Sequence, residues 1–171
     1  MDSRRIPQFA CWLMALLLGL AAASFVAVSA TEAAPVADPP WGPNVKVNDD
    51  AVGVADQGLP ALAASKTTND VYAVWVDWRN EDADVYFARS TNGGQTWGAS
   101  VRVNHDANAW QYTPDIAVNA AGVLHAVWSD SRAGDDDIYY ARSTDGGQTW
   151  SAEVRVNDVL TGTQNNPAIA A

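Results

Sequence analysis

The sequence predicts an all-β protein, on three observations. The first is a block written twice: residues 84–97, DVYFARSTNGGQTW, return 53 positions later as DIYYARSTDGGQTW, changed only at Val85/Ile138, Phe87/Tyr140 and Asn92/Asp145. Each copy begins with β-branched and aromatic residues, runs into a Gly-Gly turn and closes on a tryptophan, the pattern of a hairpin used as a module. The second is that residues 71–77, VYAVWVD, are apolar at both alternating sets of positions, as in a strand covered on both faces. The third is that no helical period occurs after residue 30. A repeat near fifty residues, each unit a small sheet unable to bury its own faces, predicts a β-propeller of four-stranded antiparallel blades.

Composition agrees with a folding chain. The 171 residues are 48% apolar with eight Trp and five Tyr, and the formal net charge is −10. An acidic surface repels phosphate backbones, so nucleic acid is not an expected partner. The single cysteine, Cys11, lies in the leader, and stability is expected to come from packing without disulfides.

Residues 1–30 read as an export signal: Arg4 and Arg5, an apolar run from Phe9, then small residues at Ala21-Ala22-Ala23 and Val28-Ser29-Ala30 for a peptidase. Cleavage would leave a secreted or periplasmic chain with no membrane span. The run is also long enough to cross a bilayer, and an uncleaved anchor is the competing reading. Residues 31–44, with four prolines, read as an extended linker.

The repeat region covers residues 45–171. Val45-Lys46-Val47-Asn48, Val101-Arg102-Val103-Asn104 and Val154-Arg155-Val156-Asn157 are three copies of one short strand. Each leads through a variable loop to Gln-x-x-Pro, at 57–60, 111–114 and 164–167, followed by a strand of small residues suited to a crowded innermost position. Next come residues 71–77, matched by LHAVWSD at 124–130, and then the Asp-Val/Ile-Tyr strands. Blade 1 is expected at about 59–104, blade 2 at about 113–157 and the start of blade 3 at about 166–171. The region opens with a fourth strand and stops one strand into a third unit, so the expectation is an N-terminal fragment of about two and a half blades. Such a fragment is expected to self-associate through unpaired edges.

The turns read Ser90, Asn92, Gly94, Thr96, Trp97 and Ser143, Asp145, Gly147, Thr149, Trp150 at matching places. A short Asx side chain can accept hydrogen bonds from turn amides, glycine takes a positive φ, and tryptophan folds over the hairpin as a local core. This pattern resembles the Asp-box, or bacterial neuraminidase repeat, with Asn92 in place of aspartate in the first copy. The resemblance implies a sialidase-like propeller whose boxes are structural and lie away from the ligand face. Sialidases use an arginine cluster for the substrate carboxylate, a Tyr-Glu nucleophile pair and an aspartate acid/base. Their first blade typically opens on Arg-Ile-Pro, where this chain has Gly58-Leu59-Pro60.

A second repeated constellation is Trp75-x-Asp77-x-Arg79 and Trp128-x-Asp130-x-Arg132. Residues two apart on a strand point the same way, so carboxylate and guanidinium stand side by side. Two readings stay open: a cationic row for an anionic ligand, or a structural pair repeated because it serves the repeat. Trp110 and Tyr112 break the period, standing where the first copy has Asp56 and Gly58; aromatic faces on a loop suit sugar stacking, and ordinary loop packing is the alternative. Asp135, Asp136 and Asp137 read as a solvated turn, since they fit no calcium loop. His105 has no metal partners at ligand spacing and His125 takes the place of Tyr72, so neither a metal nor a cofactor is expected. Together these features predict an exported module for glycans or surface proteins. An exo-α-sialidase-type glycoside hydrolase with its catalytic residues downstream, and a structural repeat of a larger surface protein, are the alternatives.

Overall fold

The computed structural model describes residues 42–171 apart from Val52, Val54, Asp106, Ala107 and Leu160. The expected export signal and residues 31–41 of the linker lie outside the described residues. Eight strands form two four-stranded sheets: β1 (Gln57–Ala64), β2 (Val71–Asp77), β3 (Asp84–Ser90) and β4 (Val101–Arg102), then β5 (Gln111–Val118), β6 (Leu124–Asp130), β7 (Asp137–Ser143) and β8 (Val154–Arg155). Within each sheet the strands run in chain order, every neighbouring pair antiparallel. The fold class is all-β, as the sequence predicts.

Alternation along β2 decides the packing. Tyr72 and Val74 point to one face and join Val85, Phe87 and Val103 in a cluster completed by Ile116, Leu124, Ala126, Trp128, Ala141 and Trp150 of the second sheet. That cluster is the interface between the sheets. Ala73 and Trp75 point the other way and form a separate cluster with Tyr86 and Ala88, against which Val47 and Trp97 pack. Trp75, Tyr86 and Trp97 are the first-sheet counterparts of Trp128, Tyr139 and Trp150, so one face of each sheet has the same composition. In the second sheet it is covered by the first.

Three features differ from the sequence expectation. The inner strands begin at the glutamine of Gln-x-x-Pro, before the proline, because Gln57 pairs with Asp77 and Gln111 with Asp130. The Val-x-Val-Asn strands shrink to two paired residues, and residues 45–48 carry no strand assignment, having no third-strand edge among the described residues to pair with. Finally, the box tryptophan is more than a local core. Trp150 meets Phe87 of the preceding sheet edge-on, with centroids 5.4 Å apart, whereas half-buried Trp97 stays with its own sheet.

Candidate functional site

Strand register gathers the period-breaking residues at one end of the sheets. Asp77 pairs with Asp84 and Asp130 with Asp137, so the turns from second to third strand share an end with the starts of β1 and β5. A register slip follows Gly58 in β1 and Tyr112 in β5. Leu59, Thr113 and Asn166, each the residue before the repeat proline, hold φ values of 52°, 47° and 52°. A left-handed non-glycine residue before proline is strained, at about 1–3 kcal/mol, and its recurrence in all three copies marks the bulge as part of the repeat.

The two arginines of the second constellation are each paired with two carboxylates. Arg79 Nη2 donates to Asp77 (2.7 Å), its Nη1 donates to Asp49 (2.9 Å), and its guanidinium lies 4.3 Å from the Tyr86 ring centre. Arg132 repeats the arrangement with Asp130 (2.5 Å), Glu153 (2.5 Å) and the Tyr139 ring at 4.2 Å. Asp77 and Asp130 also accept from the indole N–H groups of Trp75 and Trp128, and neither has exposed surface. Burial alone would raise the Asp77 carboxyl, but the Arg79 side chain, the Trp75 indole and the Arg79 amide hold it below the usual range. Arg79 is pushed up, chiefly by Asp77; burial opposes this and Asp49 adds to it.

A polar spine unassigned by sequence reasoning stands beside these pairs. Asn104 accepts from the Val85 amide (2.8 Å) and donates to Asp84 (2.7 Å) and to Gln111 Oε1 (2.9 Å). Asn157 does the same with Ile138, Asp137 and Gln164. The backbone amides of Gln111 and Gln164 donate to Ala83 O and Asp136 O, both 2.7 Å, hooking each Gln-x-x-Pro segment to the sheet before it. Recurrence of Asn and Gln in every copy was the available signal; such polar residues belong in a blade only if their partners recur with them.

Trp110 is 55% exposed, yet it is held on three sides. Its amide donates to Ser131 Oγ (3.0 Å), its carbonyl accepts from the Ser131 amide (3.0 Å), and its indole N–H donates to Asp82 (3.3 Å) on the first sheet's turn. Tyr112 meets it edge-on at 6.2 Å. Burial raises the Tyr112 phenol, and Asp136 adds to the shift. Aromatic bulk is exchanged between the repeats here. The first sheet has Gly58 with Trp78 beside it, where the second has Tyr112 and Ser131.

The boxes occupy the opposite end, beyond Ser90 and Ser143, which pair with Val71 and Leu124. Ser90 Oγ accepts from the Gly94 amide and Asn92 Oδ1 from the Thr96 amide, at 2.8 and 2.9 Å. Ser143 and Asp145 repeat this with Gly147 and Thr149 at 2.9 and 3.0 Å. Gly146 and Gly147, at φ 74° and 90°, lie against the first sheet. A Cβ on either would run into Arg89 or Phe87, while open space surrounds Gly93.

The remaining candidates are held in protein contacts. Asp137 is buried and accepts from Arg155 and Asn157, Asp135 accepts from the Gly162 amide, and Asp136 O belongs to the spine. His125 Nδ1 lies 2.8 Å from the Tyr140 hydroxyl, and the His105 amide donates to Glu153. Among the described residues no group of three or more His, Cys, Asp or Glu is placed to hold a metal ion.

No family model and no curated protein matches the chain. Among solved structures it is similar to a Hadza microbial sialidase, with 18% identity and a TM-score of 0.49, over 58% of this chain and 25% of that one. It is also similar to a sialidase from Streptococcus pneumoniae (20%, TM-score 0.44, 60% and 14%) and to an intramolecular trans-sialidase from Ruminococcus gnavus (21%, TM-score 0.42, 56% and 18%). The matches are to sialidase propeller domains over about half of this chain, which spans a quarter or less of each of these enzymes.

Proposed function

We propose that this chain is part of an exported propeller serving outside the cytoplasm as a binding module for glycans or surface proteins. The observation that carries the reading is the engagement of Arg79 and Arg132. Each guanidinium already contacts two carboxylates and a tyrosine ring. A ligand carboxylate would have to displace these partners and leave Asp77 or Asp130 buried without its cation, a change costing roughly 3–5 kcal/mol. The place of the arginine in Arg-Ile-Pro is taken by Gly58, Tyr112 and Asn165 in the three copies. The aromatic pair at Trp110 and Tyr112 stands at the same end, held firmly and open to solvent on the indole.

The full-length protein should bind a subset of a glycan array and leave a fluorogenic sialoside intact. Turnover of the sialoside would overturn the reading in favour of a hydrolase. For export, N-terminal sequencing of the secreted product should show a chain shortened by about thirty residues; a secreted chain that retains Met1 would contradict it.

A further inference from the structure

The charge at this end of the sheets narrows the ligand class. The cations there are committed to carboxylates: Lys46 to Asp50, Arg79 to Asp77 and Asp49, Arg102 to Asp84 at 3.6 Å, Arg132 to Asp130 and Glu153, and Arg155 to Asp137 at 3.3 Å. The aromatic pair is bordered by acid: Asp82 accepts from the Trp110 indole N–H at 3.3 Å. The whole chain carries a net charge of −10.

We infer that Trp110, with Tyr112 against its edge, forms a stacking face for an uncharged sugar ring, and that Asp82 excludes sugars bearing sialate, uronate or sulfate. The inference rests on the binding-module reading and goes beyond it by naming the ligand class. Three features of the structure support it. Trp110, its backbone bonded to Ser131 through amide and carbonyl and its indole N–H bonded to Asp82, is placed before a ligand arrives, so less ordering entropy is lost on binding. The platform is peculiar to the second sheet, since the other copies have Asp56 and Gly58, or Thr163 and Asn165, at these places. Ligand binding needs one such place, whereas a role in the repeat would be met at each. An anionic sugar set on the indole would also face Asp82, where the described arginines at this end are already paired with carboxylates, and like-charge juxtaposition is unfavourable.

The test is isothermal titration of the full chain with neutral array hits and with the sialylated or sulfated form of each; lactose and 3′-sialyllactose make one matched pair. The neutral form should bind at least about tenfold more tightly, and 1 M NaCl should narrow the gap by screening. Trp110→Ala should weaken neutral binding by roughly tenfold or more, while Trp110→Phe retains most of it. Asp82→Asn keeps an acceptor for the indole and should raise affinity for 3′-sialyllactose towards that for lactose. Preference for the anionic member of a pair, or neutral binding unchanged in Trp110→Ala, would overturn the inference and leave the module reading standing. Silence across the entire array would overturn the glycan reading itself.

Discussion

Asn92 and Asp145 show how one turn tolerates two chemistries. Both accept from the threonine amide four residues on. The threonine hydroxyl then reverses its role, accepting from Asn92 Nδ2 in the first box and donating to Asp145 in the second. The Thr149 hydroxyl, then its amide and the Ser143 hydroxyl, hold the Asp145 carboxyl well below the usual range. A depressed folded-state value means that this contribution is complete above the unfolded carboxylate pKa, about 4, and is lost as pH falls towards the folded value. Asp145→Asn should therefore flatten the acid limb of a stability-against-pH curve, and Asn92→Asp should steepen it. Parallel curves for parent and variants would contradict the assignment. The spine was harder to read. Asn104 and Gln111 are visible as repeated letters, but their shared work depends on strands joined by loops of unequal length, which periodicity alone does not bring together. Asn104→Ala would leave Asp84, Gln111 and the Val85 amide short of a partner; a loss of about 2–3 kcal/mol is expected in urea denaturation.

At the scale of the element, second and third strands are legible because residues 71–77 are apolar on both faces and the Asp-Val/Ile-Tyr block recurs, with an aspartate at the shared end of each pair. The inner strands start earlier than the sequence implies, since proline reads as a boundary, while here it follows a left-handed residue inside a bulge. The box turn is an element whose meaning changed on folding. Gly146 and Gly147 satisfy turn geometry and also leave room for Phe87 and Arg89 of the preceding sheet. Gly147→Ala should therefore destabilise by about 3 kcal/mol or more, combining overpacking with strain. Gly94→Ala, where only Trp97 comes as near as 3.9 Å, should cost about 1 kcal/mol from strain alone. Equal effects would show that the second box does not dock on the first sheet.

Over the whole molecule, equivalent positions meet unequal surroundings according to what lies beside them. Trp128 has no exposed surface beneath the first sheet, while its counterpart Trp75 lines an open apolar recess of about 350 Å³ with Val47, Pro60 and Leu62, the last 65% exposed. The chain is expected to self-associate through this face, with scattering intensity per unit mass rising with concentration; a constant monomer value would contradict that. The central claim is a division of labour: residues that keep the period hold the sheets together, and the pair that breaks it meets the ligand. Thermal denaturation of Arg132→Ala beside Trp110→Ala tests it most directly. Arg132→Ala strands Asp130 and Glu153 and should lower the melting temperature by roughly 10 °C, while Trp110→Ala should melt within about 2 °C of the parent. The reverse order, with Trp110→Ala the weaker fold and Arg132→Ala unchanged, would contradict the account.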